Sequence, residues 1–80
     1  MKVSVDISLY PLDKNYEKPI IAFIEKLKQS PFTVLENPLS TQIYGDYDAV
    51  MDLIKTAMKE TFLTEEMAVF TMKFIKGDRL

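Results

Sequence analysis

The segment VSVDISLY, from Val3 to Tyr10, is the clearest indicator of the architecture, because apolar and polar residues alternate along its whole length. Alternation with a period of two is typical of a β-strand that buries one face and exposes the other. Pro11 follows, and a proline cannot donate a backbone hydrogen bond to a strand ladder. The stretch therefore predicts a first strand that ends at Pro11 and belongs to a sheet covered on one side only.

Further along the chain, apolar spacing predicts two helices. Ile20, Phe23, Ile24 and Leu27 recur at helical intervals behind Pro19, and Ser30-Pro31 ends that helix. A second helix follows Gly45, with Asp46 as the residue expected to cap it. Its inward stripe has six members, which are Val50, Leu53, Ile54, Ala57, Met58 and Thr61.

Three more segments are rich in strand-forming residues. They run from Phe32 to Glu36, from Leu39 to Tyr44 and from Met67 to Ile75, and Asn37-Pro38 marks a turn between the first two. In the third strand of the chain, we expect Leu39 and Ile43 to point towards the helices.

The order strand, helix, strand, strand, helix, strand predicts an α+β fold, the ferredoxin-like βαββαβ sandwich. Such a domain has a four-stranded antiparallel sheet with two helices on one face, and we expect residues 1–80 to form a single domain of this kind. Right-handed crossovers place strands 1 and 3 in the middle of the sheet and strands 4 and 2 at its edges.

Composition excludes most enzyme chemistries. The 80 residues contain no Cys and no His, so they lack cysteine nucleophiles, thiolate metal sites, and the commonest general base and metal ligand. Two glycines provide no phosphate-binding loop, and no carboxylate spacing indicates a metal site. Ten basic against twelve acidic residues give a net charge of −2, which argues against nucleic acid as a partner. We therefore expect a non-catalytic protein without cofactor or metal.

No signal peptide and no apolar run of membrane-spanning length is present. We therefore expect a cytoplasmic protein that does not bind membranes.

The uncovered face of the predicted sheet is too polar to form a hydrophobic core, and it carries more aromatic side chains than a surface that only contacts solvent. Its expected members are Ser4, Asp6, Ser8 and Tyr10 of strand 1, Ser40, Gln42 and Tyr44 of strand 3, and Val69, Thr71 and Lys73 of strand 4.

Asp6 is the most informative residue of this face, because a carboxylate in a central strand opposes strand propensity. It either anchors a cation or amino group of a ligand, or it is solvated, or it is bridged to Lys73, which is expected two strands away. Tyr10 and Tyr44 either stack on a heterocycle or cation or pack into a dimer interface.

Two segments resemble the YkoF-like thiamine-binding protein family. They are VDISLYPL, from Val5 to Leu12, and NPLSTQIYGDYDAVMDLI, from Asn37 to Ile54. Family members show a strand ending in a similar S-x-Y-P run, and a strand that ends at glycine and leads directly into a helix. Here Asp13 follows Leu12, where related sequences often have glycine.

The resemblance implies assembly through the open sheet face and binding of thiamine, or its hydroxymethylpyrimidine part, in a groove between units. Because this chain contains one module, the paired site requires a homodimer or homotetramer. Carried over by position, six residues line the groove, which are Asp6, Ser8, Tyr10, Thr41, Gln42 and Tyr44. Simple alternation nevertheless points Thr41 inward.

Two other functions share the predicted fold. One is a regulatory module of the amino-acid-sensing type, which is usually fused to an enzyme. The other is a structural or adaptor protein that oligomerises through its sheet, with tyrosine and serine side chains interdigitating and no room for a ligand.

Overall fold

The structure is a computed structural model that describes all 80 residues. Its elements follow the predicted order and are β1 (Lys2–Pro11), α1 (Glu17–Lys28), β2 (Thr33–Glu36), β3 (Thr41–Asp46), α2 (Tyr47–Thr64) and β4 (Ala68–Lys76). The strands form one antiparallel sheet in the order β2-β3-β1-β4. The ferredoxin-like α+β fold is thus confirmed, with β1 and β3 central as predicted.

The core lies between the sheet and the two helices. Alternation in β1 buries Val3, Val5, Ile7 and Leu9, and β3 adds Ile43. The helices contribute five further buried apolar side chains, which are Phe23, Leu27, Val50, Ile54 and Ala57. Leu53 and Met58 pack against this core, and Thr61 is buried with its hydroxyl donating to the carbonyl of Ala57, so the predicted stripe of α2 is confirmed.

The turn before β3 differs from the prediction. Asn37 Oδ1 accepts hydrogen bonds from the backbone N–H groups of Leu39 and Ser40, at 2.9 and 3.1 Å. These bonds keep both residues in the turn, since an asparagine side chain competes with strand pairing for backbone donors. The strand therefore begins at Thr41, and Leu39, predicted to point towards the helices, is 88% exposed.

The start of α2 also differs in its capping. Asp46 occupies the N-cap position, as predicted, but its side chain makes no capping hydrogen bond. The carboxylate instead lies 3.5 Å from the Met1 amino nitrogen, and the N–H of Tyr47 donates to the carbonyl of Met1 at 2.8 Å. Met1, the residue before β1, thus accepts the hydrogen bond from the first backbone N–H of α2.

The two edges of the sheet are unequal. The edge strand β2 has four residues, whereas β4 has nine and pairs with β1 from Val3 to Pro11. β3 pairs with β1 only as far as Ile7, which lies opposite Thr41. The last four residues of β1 therefore extend beyond β3 and pair with β4 alone.

Candidate functional site

Asp6 lies at the centre of the open sheet face. In the strand register it stands opposite Gln42 of β3 on one side and opposite Lys73 of β4 on the other. Lys73 is thus on the adjacent strand, and the expectation that it lies two strands away is wrong. No ion pair within 4 Å joins Lys73 to Asp6.

One carboxylate oxygen of Asp6 is held by two neighbours. Oδ1 accepts hydrogen bonds from Ser40 Oγ and Gln42 Nε2, each at 2.7 Å, and Gln42 Nε2 is also 2.7 Å from Ser40 Oγ. These bonds, first from Gln42 and then from Ser40, hold the pKa of Asp6 below its ordinary value, with a smaller contribution from the positive charge of Lys73. Oδ2 has no hydrogen-bond partner in the chain. The carboxylate is therefore ionised at neutral pH, oriented, and free on one oxygen.

A shallow concavity of about 170 Å³ surrounds this carboxylate, and we call it the open-face site. Its lining is Ser4, Val5, Asp6, Gln42, Tyr44, Lys73, Ile75 and Arg79. Tyr44, opposite Ser4 in the register, supplies the aromatic side chain of this lining. An anion, an amide, an aromatic ring and two cationic side chains thus share one small surface.

A larger cleft of about 460 Å³ opens where β1 extends beyond β3, and we call it the end cleft. It is bounded by the end of β1, the β2–β3 turn and α1, and most of its lining is apolar. Its lining is Ile7 to Leu12, Tyr16, Ile20, Phe23, Ile24 and Asn37 to Thr41. Ser8 Oγ donates to the carbonyl of Leu39 at 3.4 Å across it.

The six residues predicted to bind a ligand fall into two groups. Asp6, Gln42 and Tyr44 line the open-face site, whereas Ser8, Tyr10 and Thr41 line the end cleft. Thr41 is 5% exposed and lies on the helix side of the sheet, as alternation predicts. Ser40 connects the groups, because it lines the end cleft and donates to Asp6.

Sequence reasoning missed two residues of these sites. Ser40 was expected on the open face but not as a partner of Asp6, although its place two residues before Gln42 is a usable signal. No periodic pattern includes Arg79, and only Gly77, a turn-forming residue just beyond the last strand, indicates that the chain reverses there.

No three acidic side chains cluster closely enough to hold a metal ion. None of the helices combines the length and the apolar character required to cross a membrane.

Solved structures of several microbial proteins share this fold. A Streptococcus pneumoniae protein superposes with a TM-score of 0.91 at 22% identity, covering 99% of this chain and 90% of that one. A candidate thiamine biosynthesis/salvage protein from Thermotoga maritima gives 0.87 at 20% identity, with 96% and 85% covered. A Bacillus cereus domain of unknown function gives 0.82 at 20% identity, with 99% and 79% covered. At these identities the likeness shows the fold.

The sequence itself carries the family assignment. Among curated protein sequences, none matches this chain. The family model for thiamine-binding protein matches residues 5–76, which includes both segments on which the predicted resemblance rests. That match spans nearly the whole chain, from β1 to the end of β4. The chain therefore belongs to the thiamine-binding protein family.

Proposed function

We propose that this protein binds thiamine or a related pyrimidine, such as hydroxymethylpyrimidine, without catalysing a reaction. The ligand lies in a groove on the open sheet face between subunits of a homodimer or homotetramer. Family membership supports a thiamine-related role, and the geometry around Asp6 supports this location.

The observation that carries the proposal is the half-satisfied carboxylate of Asp6. Ser40 and Gln42 fix Oδ1 and leave Oδ2 open towards the uncovered face. A carboxylate that a partner subunit covers needs a counter-charge or a donor, since an unpaired buried charge is costly. The amino group of the aminopyrimidine or the cationic thiazolium of thiamine satisfies that need.

The remaining predicted residues fit the rest of such a ligand. Tyr44 offers a ring face in the open-face site, and stacking on a cation contributes ~0.5–2 kcal/mol. Tyr10 does the same in the lining of the end cleft, where Ser8 offers a hydroxyl group to a ring edge, whereas Thr41 is buried on the helix side and contributes to the wall of the cleft. Because Ser40 joins the two concavities, a ligand of two linked rings can use both.

Titration calorimetry with thiamine tests the proposal. We expect micromolar or tighter binding to the parent protein, and at least tenfold weaker binding (~1.4 kcal/mol) to Asp6→Asn. Asp52→Asn makes the same charge change at an exposed position of α2 and should bind like the parent.

Absence of binding heat at any accessible thiamine concentration, with folding and oligomer size unchanged, would contradict the proposal. The protein would then be a structural or adaptor module, and its open face would serve only association between chains.

A further inference from the structure

The four residues after β4 fold back over the open sheet face. Gly77 adopts a φ of +99°, which turns the chain, and its N–H donates to the carbonyl of Lys2 at 2.8 Å. Ser4, only 5% exposed, donates its hydroxyl to the carbonyl of Gly77 and accepts from the N–H of Arg79, both at 2.8 Å. The backbone of Arg79 is therefore fixed above β1.

This reversal brings a second cation to the open-face site. Arg79 and Lys73 both line the concavity that holds Asp6, and Asp6 is the sole acidic residue of that lining. Neither cation belongs to an ion pair of the chain, since those pairs involve the Met1 amino group, Lys26 and Lys28. Asp78 lines a separate concavity with Lys2, towards β2 and β3. The open-face site thus has one carboxylate and two cations without an ion-pair partner.

We propose that the open-face site takes a ligand of mixed charge, in which Asp6 holds an amino or cationic ring and Lys73 and Arg79 hold a phosphate ester. The inference rests on the proposed function and narrows its ligand class to the phosphorylated form. The arginine guanidinium suits this role, because its planar array of donors matches phosphate oxygens, and Lys73 adds a point charge beside it.

A paired titration tests the inference, with thiamine and thiamine monophosphate as the probes. We expect the monophosphate to bind the parent protein at least tenfold more tightly than thiamine does. Arg79→Ala and Lys73→Ala should each weaken monophosphate binding and reduce its advantage over thiamine, because only the monophosphate carries a negative charge for these cations to bind. Because the backbone N–H of Arg79 makes the bond to Ser4, Arg79→Ala keeps the segment in place.

One control separates the site from general electrostatics, and high salt tests whether the gain is electrostatic. Lys55→Ala removes the same charge from the outer surface of α2 and should not change the ratio of the two affinities. In about 1 M salt, where the Debye length falls to ~3 Å, the advantage of the monophosphate should shrink.

The outcomes distinguish this inference from the function on which it rests. Suppose that thiamine binds and that Asp6→Asn weakens its binding. If the monophosphate then binds no more tightly than thiamine, or if its tighter binding persists in both Arg79→Ala and Lys73→Ala, the inference is overturned and the proposed function stands. If neither probe binds to folded protein, both are overturned.

Discussion

Asp6 shows how far a single residue can be interpreted from sequence. Its position in a central strand predicts that it needs a partner, and alternation predicts its face. The partners themselves depend on the β1–β3 register and on the turn that carries Ser40, and neither is visible in one sequence. The alternative of a bridge to Lys73 does not occur, since no ion pair within 4 Å joins the two side chains.

The lowered pKa of Asp6 predicts a measurable dependence on Gln42. Gln42→Ala removes the hydrogen bond that lowers the pKa of Asp6 the most. The pKa of Asp6 should therefore rise towards the ordinary aspartate value of about 3.9. Titration followed by NMR of the side-chain carboxyl carbons measures it. Gln29→Ala, a matched change at an exposed position after α1, should leave the pKa of Asp6 unaltered. An unchanged value in Gln42→Ala would show that the bond does not form in solution.

The same shift predicts the direction of a pH effect on stability. A carboxyl whose pKa is lower in the folded than in the unfolded chain stabilises the fold at any pH above the unfolded value. That contribution is lost as pH falls below about 4 and through the folded pKa. Urea unfolding at neutral and acidic pH should therefore show a smaller acid-induced loss in Asp6→Asn than in the parent. Equal losses in the two proteins would refute this linkage.

At the scale of elements, the junction of β3 and α2 depends on a close approach. Gly45 lies next to the ring of Phe32, where an added Cβ would stand 2.5 Å from Phe32 Cδ1 and 3.0 Å from Val50 Cγ2. The glycine is needed for space there, since its φ is negative. The sequence places Gly45 at the end of the strand. It does not reveal the contact with Phe32, because that contact depends on tertiary packing.

Gly45→Ala should therefore destabilise the protein by about 1–3 kcal/mol, the usual range for overpacking a tight contact. Chemical denaturation measures the loss. Combining it with Phe32→Leu, which makes room for the new methyl group, should recover part of the stability lost in Gly45→Ala, and a double-mutant cycle gives the coupling energy. Strict additivity of the two substitutions would show that they do not share this contact.

For the whole molecule, the element order and the central position of β1 and β3 followed from the sequence, since each rests on apolar periodicity and crossover handedness. The path of residues 77–80 did not, because Ser4 directs it through bonds between residues more than 70 positions apart. The open-face site combines both kinds of information. Its carboxylate lies in a strand that apolar periodicity predicts. Arg79, one of its two cations, is positioned by the chain reversal after β4, which the sequence pattern does not predict.

The open face also predicts association. It exposes four apolar or aromatic side chains, which are Tyr10, Leu35, Val69 and Ile75. Only 15 of the 80 residues of a single chain are buried. A domain this small gains stability from covering such a surface. We expect a dimer or tetramer in sedimentation velocity, and Val69→Lys should shift it towards monomer.

Ile21→Lys is the matched control for this prediction. Ile21 lies on α1 and is 53% exposed, against 44% for Val69, so the two substitutions introduce the same charge at similarly accessible positions. The Ile21→Lys protein should keep the parent's sedimentation coefficient. If both variants behave alike, association does not use the open face.

The unequal edges of the sheet limit how large an assembly built through strands can become. An unpaired edge is a template for a neighbouring chain, and an endless fibre requires every chain to offer two of them. Here β4 provides nine residues and β2 only four. Backbone pairing between two β4 strands, related by a twofold axis, uses the long edge of both chains and leaves only short ones. Pairing through β4 alone therefore closes at two chains, and any further growth through strands would have to use the four-residue edge of β2.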